Sequence, residues 1–323
     1  MNTLVTGGTG FIGAALVRAL VSRGDRVRSL DNGSRGAVRR LGDAAREVEL
    51  VSGDIRDGAA VAGAMRGIDR VVHLAYVNGT EHFYKRPELV LEVAVKGIVN
   101  VIDACISSGV GELVLASSSE VYQSPPQIPT DETAPLSVPD PHNPRYSYGG
   151  GKIISELMAL NYGRQHIRRV LVFRPHNVYG PDMGWEHVIP QLALRVRDLA
   201  SAAAGPLALH IQGTGRETRA FVHIDDLVSG VLCVLEAGEH LGIYHVGSSE
   251  EVTIADVARR IGLCFSREVR VIPGDLREGS TVRRCPDISK LRALGYEPRV
   301  PLSAGLPPTV RWYDEHADER PAD

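Results

Sequence analysis

A glycine-rich turn near the start of the chain constrains the fold more than any other feature. Residues 6–13 read TGGTGFIG, and they join a β-branched segment to an apolar stretch with helical periodicity. In such a unit Gly7 permits a tight turn, Gly10 lets a phosphate approach the backbone, and Gly13 lets the helix pack closely on the strand. The helix N-terminus would then face a pyrophosphate, although a tight turn without any ligand is the simpler alternative.

Strand and helix patterns alternate through the first half of the chain. β-branched segments at 2–6, 26–31, 47–52, 69–75, 111–117 and 169–174 are separated by helical patterns at 11–23, 57–66, 87–108 and 145–166. This alternation predicts an α/β fold with a Rossmann-type doubly wound parallel sheet, and its weakening after residue 175 indicates a smaller C-terminal α/β lobe. The sheet domain is expected at 1–175 with 220–247 returning to it, the lobe at 176–219 and 248–316, and a frayed tail at 317–323.

Acidic residues follow the next two predicted strands. Asp31 could accept hydrogen bonds from an adenosine ribose and would repel a 2′-phosphate, which favours NAD over NADP despite the nearby Arg35. Asp54 could hold the adenine, or it could be an ordinary helix N-cap. The predicted cofactor contacts in this half are Gly7, Gly10, Phe11, Ile12, Gly13, Asp31, Asn32, Asp54, Ile55, Leu74, Ala75 and Tyr76.

A serine, a tyrosine and a lysine are predicted to form a catalytic centre. The fifth strand ends in SSSEVY (117–122), and YSYGGGK (146–152) opens a helix on which Tyr148 and Lys152 share one face. The lysine ammonium is expected to lower the pKa of the phenol, so that a phenolate can deprotonate a sugar hydroxyl, which Ser118 could also bind. YxxxK alone is usually a solvated helix face, but here it follows a nucleotide-binding half.

These motifs resemble those of the extended short-chain dehydrogenase/reductase superfamily, specifically the NAD-dependent nucleotide-sugar epimerase/dehydratase family. The matching segments are TGGTGFIG, LDNGSRG, GDIRD, HLAY, SSSEVY, YGGGK, NVYGP, TRAFVHIDD and RRCPDISKLRALGYEP, from residue 6 to about 298. The resemblance implies a catalytic triad of Ser118, Tyr148 and Lys152, of which the last two also contact NAD. It implies that the smaller C-terminal lobe is a substrate-binding lobe, with substrate contacts at Asn177, Val188, Arg219 and Arg284. The two arginines would grip a diphosphate, although two surface arginines would give the same pattern.

Several residues depart from the family pattern. Gln123 replaces the usual glycine after VY, Gly151 replaces a common serine, and Ala94 stands where many members carry a cofactor-binding asparagine. Gly149 to Gly151 leave the start of the active-site helix roomy. These changes affect the substrate prediction more than the hydride chemistry.

The resemblance implies a shared first step and leaves the outcome open. Tyr148 would remove the proton of the sugar 4-hydroxyl while hydride leaves C4, and a 4-epimerase acting through this transient 4-keto sugar, with NAD staying bound, is the leading prediction. Glu120 resembles the glutamate of 4,6-dehydratases and uronic-acid decarboxylases. Dehydration, decarboxylation or C3/C5 epimerisation through Glu120 is therefore the alternative, unless Glu120 only positions the substrate. A non-catalytic NAD-binding sensor is a third possibility.

Composition and charge narrow the possible partners. A net charge of −3 and a pI near 6.4 disfavour nucleic-acid binding. The sequence has neither an apolar run of about 20 residues nor an N-terminal basic segment, so no membrane contact or signal peptide is predicted. The four cysteines form no CxxC pair, which predicts no metal site and fits a cytoplasmic location. The expected partners are a nucleotide-diphosphate sugar and a second copy of the chain, which would form a homodimer through helices 87–108 and 145–166.

Overall fold

The computed structural model describes residues 1–202, 204–276 and 279–320. The strands are β1 (Asn2–Thr6), β2 (Arg26–Asp31), β3 (Glu49–Ser52), β4 (Arg70–His73), β5 (Glu112–Ala116), β6 (Arg169–Pro175), β7 (Val178–Tyr179), β8 (Leu207–His210), β9 (Thr218–Ala220), β10 (Val222–His223), β11 (Gly242–Val246), β12 (Glu251–Thr253), β13 (Val269–Ile272) and β14 (Arg283–Arg284). The helices are α1 (Phe11–Ser22), α2 (Gly58–Met65), α3 (Thr80–Lys85), α4 (Pro87–Ser107), α5 (Tyr146–His166), α6 (Val188–Ala202), α7 (Ile224–Ala237), α8 (Ile254–Cys264), α9 (Ser289–Arg292) and α10 (Leu302–Glu315).

A seven-stranded parallel sheet forms the centre of the molecule. Its strand order is β3-β2-β1-β4-β5-β6-β11. The chain adds β2 and β3 on one side of β1 and then β4 and the later strands on the other side, so the strand order reverses between β1 and β4. Ligands of open α/β sheets bind outside the carboxyl ends of the strands at such a reversal. The sheet confirms the predicted Rossmann-type fold, and β11 adds residues 242–246 to its edge.

Helices cover both faces of this sheet. On one face the apolar sides of α1 and α7 pack on the strands, and on the other face α2, α4 and α5 do so. The apolar residues of α4 recur at helical spacing from Val90 through Ile98 to Cys105, which explains why a 21-residue segment stays helical against the sheet. Pro87 begins this helix at a position where its missing N–H costs nothing.

A smaller lobe lies beyond the carboxyl edge of the sheet. Its core lies between α6, α8 and α10 and the short strands β8 and β13. Phe11 packs against both this core and the sheet core, so the start of α1 links the two.

The structure differs from the sequence prediction in a few segments. The neighbouring strands β9 and β10 belong to different sheets, because β9 pairs with β12 and β14 whereas β10 pairs with β7. Residues 38–46 and Thr80–Lys85 form short helical segments that the sequence pattern did not predict. Within the predicted frayed tail, Ala317–Glu319 form a 3₁₀ turn, and residues 321–323 lie outside the described residues.

The segment 124–144, which contains seven prolines, is a long loop. All of it is described, and it contains no helix or strand. It is nevertheless anchored, because Thr130 N donates to the Cys285 carbonyl (2.9 Å) and Ser137 N donates to the Val121 carbonyl (3.0 Å). The loop therefore connects the end of β5 to the C-terminal lobe. Among the described helices, none is long and apolar enough to cross a membrane.

Candidate active site

The glycine-rich turn forms the floor of a cavity of about 390 Å³ at the carboxyl edge of the sheet. Gly7 has a φ of +73°, and a Cβ there would lie 2.9 Å from the Ala75 Cα. A Cβ on Gly13 would lie 2.0 Å from the Gly7 carbonyl oxygen. Helix α1 begins without a side-chain cap at Gly10 and without an acidic residue in its first turn. This N-terminus is therefore free to face an anion, as a pyrophosphate requires.

Carboxylates define one end of this cavity. Asp31 accepts hydrogen bonds from Thr9 N (3.0 Å) and Gly33 N (2.9 Å). Asp54 accepts from the Arg56 side chain (2.8 Å), and this bond, outweighing partial burial, keeps the pKa of Asp54 well below its usual range. The N-cap alternative for Asp54 is wrong, because Asp57 caps α2 instead.

The cavity brings together all of the predicted cofactor contacts and most of the predicted catalytic and substrate contacts. Its walls include every residue named above as a cofactor contact, together with Ser118, Glu120, Tyr148, Lys152, Asn177 and Arg284. Two predicted substrate contacts are not among the described lining residues. Val188 begins α6 and packs on the lobe core, and Arg219 donates to the Thr281 carbonyl (2.7 Å) just behind the wall.

The tyrosine and the lysine are both buried at the other end of the cavity. Burial raises the pKa of Tyr148 to about 12, although a hydrogen bond with Ser118 opposes this change. Burial also lowers the pKa of Lys152 to about 7, and its ammonium donates to the Ala116 carbonyl (2.7 Å). The sequence-based expectation of a lowered pKa for the phenol is therefore wrong for the protein alone, because burial outweighs the nearby positive charges of Arg35 and Arg284.

Glu120 lies beside the tyrosine and is paired with arginines. Its carboxylate accepts from Arg284 Nη1 (2.7 Å) and lies 3.4 Å from Arg145 Nη2. Burial would raise the pKa of Glu120, but the charges of Arg284 and Arg145 outweigh it and lower the pKa to about 2. Arg219 also acts on Glu120, so this carboxylate is ionised among three arginines. Arg145 was not predicted, because nothing in its proline-rich surroundings marks it.

Gln123, one of the departures from the family pattern, fits against a glycine of the active-site helix. Gln123 has a φ of +54°, a conformation that favours glycine, and its side chain donates to the Glu120 carbonyl. A Cβ on Gly149 would lie 2.5 Å from the Gln123 Nε2. The first glycine of YGGGK therefore makes room for a glutamine that holds the turn carrying Glu120.

Comparisons with known proteins agree with this geometry. Residues 3–247 match the model of the "NAD dependent epimerase/dehydratase family". The chain is 34% identical to a dTDP-4-dehydro-6-deoxy-D-allose reductase from a Streptomyces species, over 98% of this chain and 97% of the relative. It is 30% identical to UDP-glucuronic acid decarboxylase 4 of Arabidopsis thaliana, over 96% of this chain and 68% of the relative.

Solved structures give the same result for the fold. The structure of a dTDP-glucose 4,6-dehydratase from Streptomyces venezuelae, crystallised with NAD, superposes with a TM-score of 0.86 at 33% identity over 99% of this chain and 98% of that one. A UDP-glucose 4-epimerase from Thermus thermophilus, in complex with NAD, gives a TM-score of 0.84 at 29% identity over 97% of this chain and 99% of that one.

Proposed function

The chain belongs to the NAD-dependent epimerase/dehydratase family, and on that premise we propose that it oxidises C4 of a nucleotide-diphosphate sugar and acts through the resulting 4-keto sugar. The observation that carries this proposal is the position of Ser118, Tyr148 and Lys152 in one wall of the glycine-floored cavity. A phenol, an ammonium and a hydroxyl in this arrangement can remove a proton from an alcohol.

The cavity fits NAD on the residues present. The uncapped start of α1 suits its pyrophosphate, Asp31 suits its adenosine ribose, and the small residues Gly7 and Ala75 let it approach the backbone closely. When bound, NAD supplies a reversible hydride acceptor for C4. The buried Tyr148 then takes the proton of the 4-hydroxyl. Because its pKa is about 12 in the protein alone, a cation beside its ring is needed to favour the phenolate.

Arginines around Glu120 suit the substrate diphosphate. Arg284 lines the cavity, and Arg219 lies next to it, where burial and the Arg284 charge lower the pKa of Arg219 to about 10. Clustered cations of this kind bind phosphate oxygens well. We place the diphosphate between these two arginines and the sugar between them and Tyr148.

Epimerisation at C4 is the outcome that the described geometry favours. It needs no group beyond Ser118, Tyr148 and Lys152, whereas loss of the C6 hydroxyl needs a proton donor. Glu120 is held ionised by arginines, and its neighbour Ser119 has no acidic proton to give. Reduction of a 4-keto sugar, as in the name of the reductase relative, is the reverse of the same first step.

Dehydration or decarboxylation is the second candidate. Glu120 lines the cavity beside Ser118 and Tyr148, where an ionised carboxylate could take the C5 proton that a 4-keto group acidifies. The names of the curated relatives, which include dehydratases and decarboxylases, support this candidate more than they support 4-epimerisation.

The products formed in deuterated water separate these outcomes. The purified protein is incubated with NAD and a panel of UDP-, GDP-, ADP- and dTDP-linked sugars, and products are analysed by NMR and mass spectrometry. Inversion at C4 with unchanged mass and no deuterium uptake is expected. Loss of water or carbon dioxide, or deuterium at C3 or C5, would favour the second candidate. No conversion of any sugar would count against the proposal as a whole.

A further inference from the structure

The ammonium of Lys152 lies on the face of an aromatic ring. Its Nζ is 3.8 Å from the centroid of the Tyr76 ring and donates a hydrogen bond to the Ala116 carbonyl. The lysine is only 4% exposed. A ring face attracts a cation without accepting its proton, so the positive charge stays on the lysine and remains available to a neighbouring anion.

Tyr76 also contacts the other residue of the catalytic pair. Its ring meets the Tyr148 ring edge-on with centroids 5.1 Å apart, and its hydroxyl donates to the Tyr148 carbonyl at 3.4 Å. Phe83 stacks on the Tyr148 ring with centroids 4.8 Å apart. The rings of Tyr76 and Phe83 therefore hold Tyr148. Among the described aromatic contacts, only Tyr76 of these two also contacts the lysine.

Small residues on two helices make the space that Tyr76 occupies. A Cβ on Gly151, in α5, would lie 2.3 Å from the Tyr76 hydroxyl oxygen and 2.7 Å from the Ala94 Cβ, in α4. No side chain at position 151 can coexist with Tyr76 in this position unless one of them moves. The sizes of residues 76, 94 and 151 are therefore coupled.

We propose that Tyr76 is a positioning residue, whose ring face holds the Lys152 ammonium and whose edge fixes Tyr148, and that Gly151 and Ala94 are small in order to admit it. The role of Lys152 in this inference rests on the proposed function. Because burial lowers the pKa of Lys152 to about 7, a contact that favours the ammonium decides how much of this lysine is charged at neutral pH.

The small number of lysines allows a direct test that needs no substrate. The chain has four, Lys85, Lys96, Lys152 and Lys290, so ¹³C-labelled lysine gives four side-chain signals. Lys290 lies 4.7 Å from the Tyr244 ring centroid and serves as an internal control. We expect an upfield ring-current shift for Lys152 that Tyr76→Leu abolishes and Tyr76→Phe keeps, while the Lys290 signal stays unchanged. A Lys152 signal that is the same in Tyr76→Leu and the wild type would overturn the proposal.

The pH dependence of the reaction separates positioning from simple packing. In Tyr76→Leu the pKa of Lys152 should fall, so less of the lysine is charged at pH 7 and kcat at that pH should drop about tenfold. As the pH rises, kcat should be lost at a lower pH in the variant than in the wild type. Tyr76→Phe should recover most of this loss. A uniform loss at every pH that Tyr76→Phe does not rescue would refute a role through the lysine.

A double-mutant cycle tests the coupled sizes without any assay of turnover. Gly151→Ala should destabilise the wild-type protein to urea but should cost less in the Tyr76→Leu background, where the clash with the Tyr76 hydroxyl is gone and only the close approach to Ala94 remains. Equal costs in both backgrounds would contradict the claim that Tyr76 is what position 151 accommodates. Because these measurements do not depend on a substrate, failure to convert any nucleotide sugar would bear on the proposed function and not on this packing.

Discussion

Replacing Glu120 by glutamine removes a partly buried negative charge from a group of three arginines. The carboxylate accepts a 2.7 Å hydrogen bond from Arg284, lies 3.4 Å from Arg145, and is 19% exposed. Its pKa falls from 4.5 to about 2 in the folded protein, which corresponds to about 3 kcal/mol of stability at neutral pH. Glutamine can keep one hydrogen bond, so we expect the free energy of unfolding to fall by roughly 2–3 kcal/mol.

The sign of the pH dependence follows from the lowered pKa. Because the folded pKa lies below the unfolded one, the contribution of Glu120 is complete above about pH 4.5 and is lost as the pH falls towards 2. The stability difference between the wild type and Glu120→Gln should therefore be constant near neutral pH and shrink in acid. Urea unfolding followed by circular dichroism at several pH values measures it.

The same substitution should strengthen the binding of a nucleoside diphosphate. In the proposed site the diphosphate and Glu120 compete for the same arginines, so removal of the carboxylate should lower the Kd for UDP or dTDP by about tenfold, or about 1.4 kcal/mol. Isothermal titration calorimetry of each variant gives this number.

Glu112→Gln is the matched control. Glu112 is likewise a carboxylate between two arginines, Arg70 (2.8 Å) and Arg169 (3.3 Å), but it begins β5, whereas Glu120 follows the end of that strand. The Glu112→Gln variant should be less stable than the wild type but should bind UDP and dTDP with unchanged affinity. If Glu120→Gln binds UDP and dTDP no more tightly than the wild type, the diphosphate does not bind among these arginines.

Three further predictions follow from the site and from the helices. Tyr148→Phe should lower kcat by at least about a hundredfold, because it removes the proton acceptor but keeps the ring that stacks on Phe83; steady-state assays with a fold check by circular dichroism measure this. Asp31→Ala should weaken NAD binding by about tenfold and reduce the preference of the protein for NAD over NADP, which fluorescence titration with both cofactors measures. An unchanged preference for NAD would contradict the assigned role of Asp31. Leu157, on α5, is 54% exposed, and Leu91 and Val95 on α4 are also exposed, so Leu157→Glu should convert the expected homodimer into a monomer in light scattering. A wild type that is already monomeric would refute the dimer prediction.

The sequence predicted the fold well because the relevant signals are local. The alternation of β-branched and helical segments and the glycines of residues 6–13 depend on short-range periodicity and backbone conformation, and both are visible in a short window. The YxxxK spacing likewise places Tyr148 and Lys152 on one helix face without knowledge of the fold.

The chemistry of the site could not be predicted in the same way, because it depends on long-range contacts. Arg284 reaches Glu120 across 164 residues, and Tyr76 reaches the carbonyl of Tyr148 across 72. The direction of the pKa change at Tyr148 depends on burial, which is a property of the folded cavity. For this reason the expected lowering of the Tyr148 pKa is not found in the protein alone, although both residues were identified.

Transient reduction of the bound cofactor tests the central claim most directly. UDP-glucose and dTDP-glucose, each with protium or deuterium at C4, are mixed rapidly with the NAD-loaded protein, and the absorbance of reduced nicotinamide is followed in the wild type and in Tyr148→Phe. We predict a transient signal in the wild type that C4 deuteration slows, and no such signal in the variant. Sugar conversion without an isotope effect at C4, or an undiminished signal in Tyr148→Phe, would contradict oxidation at C4 by this site.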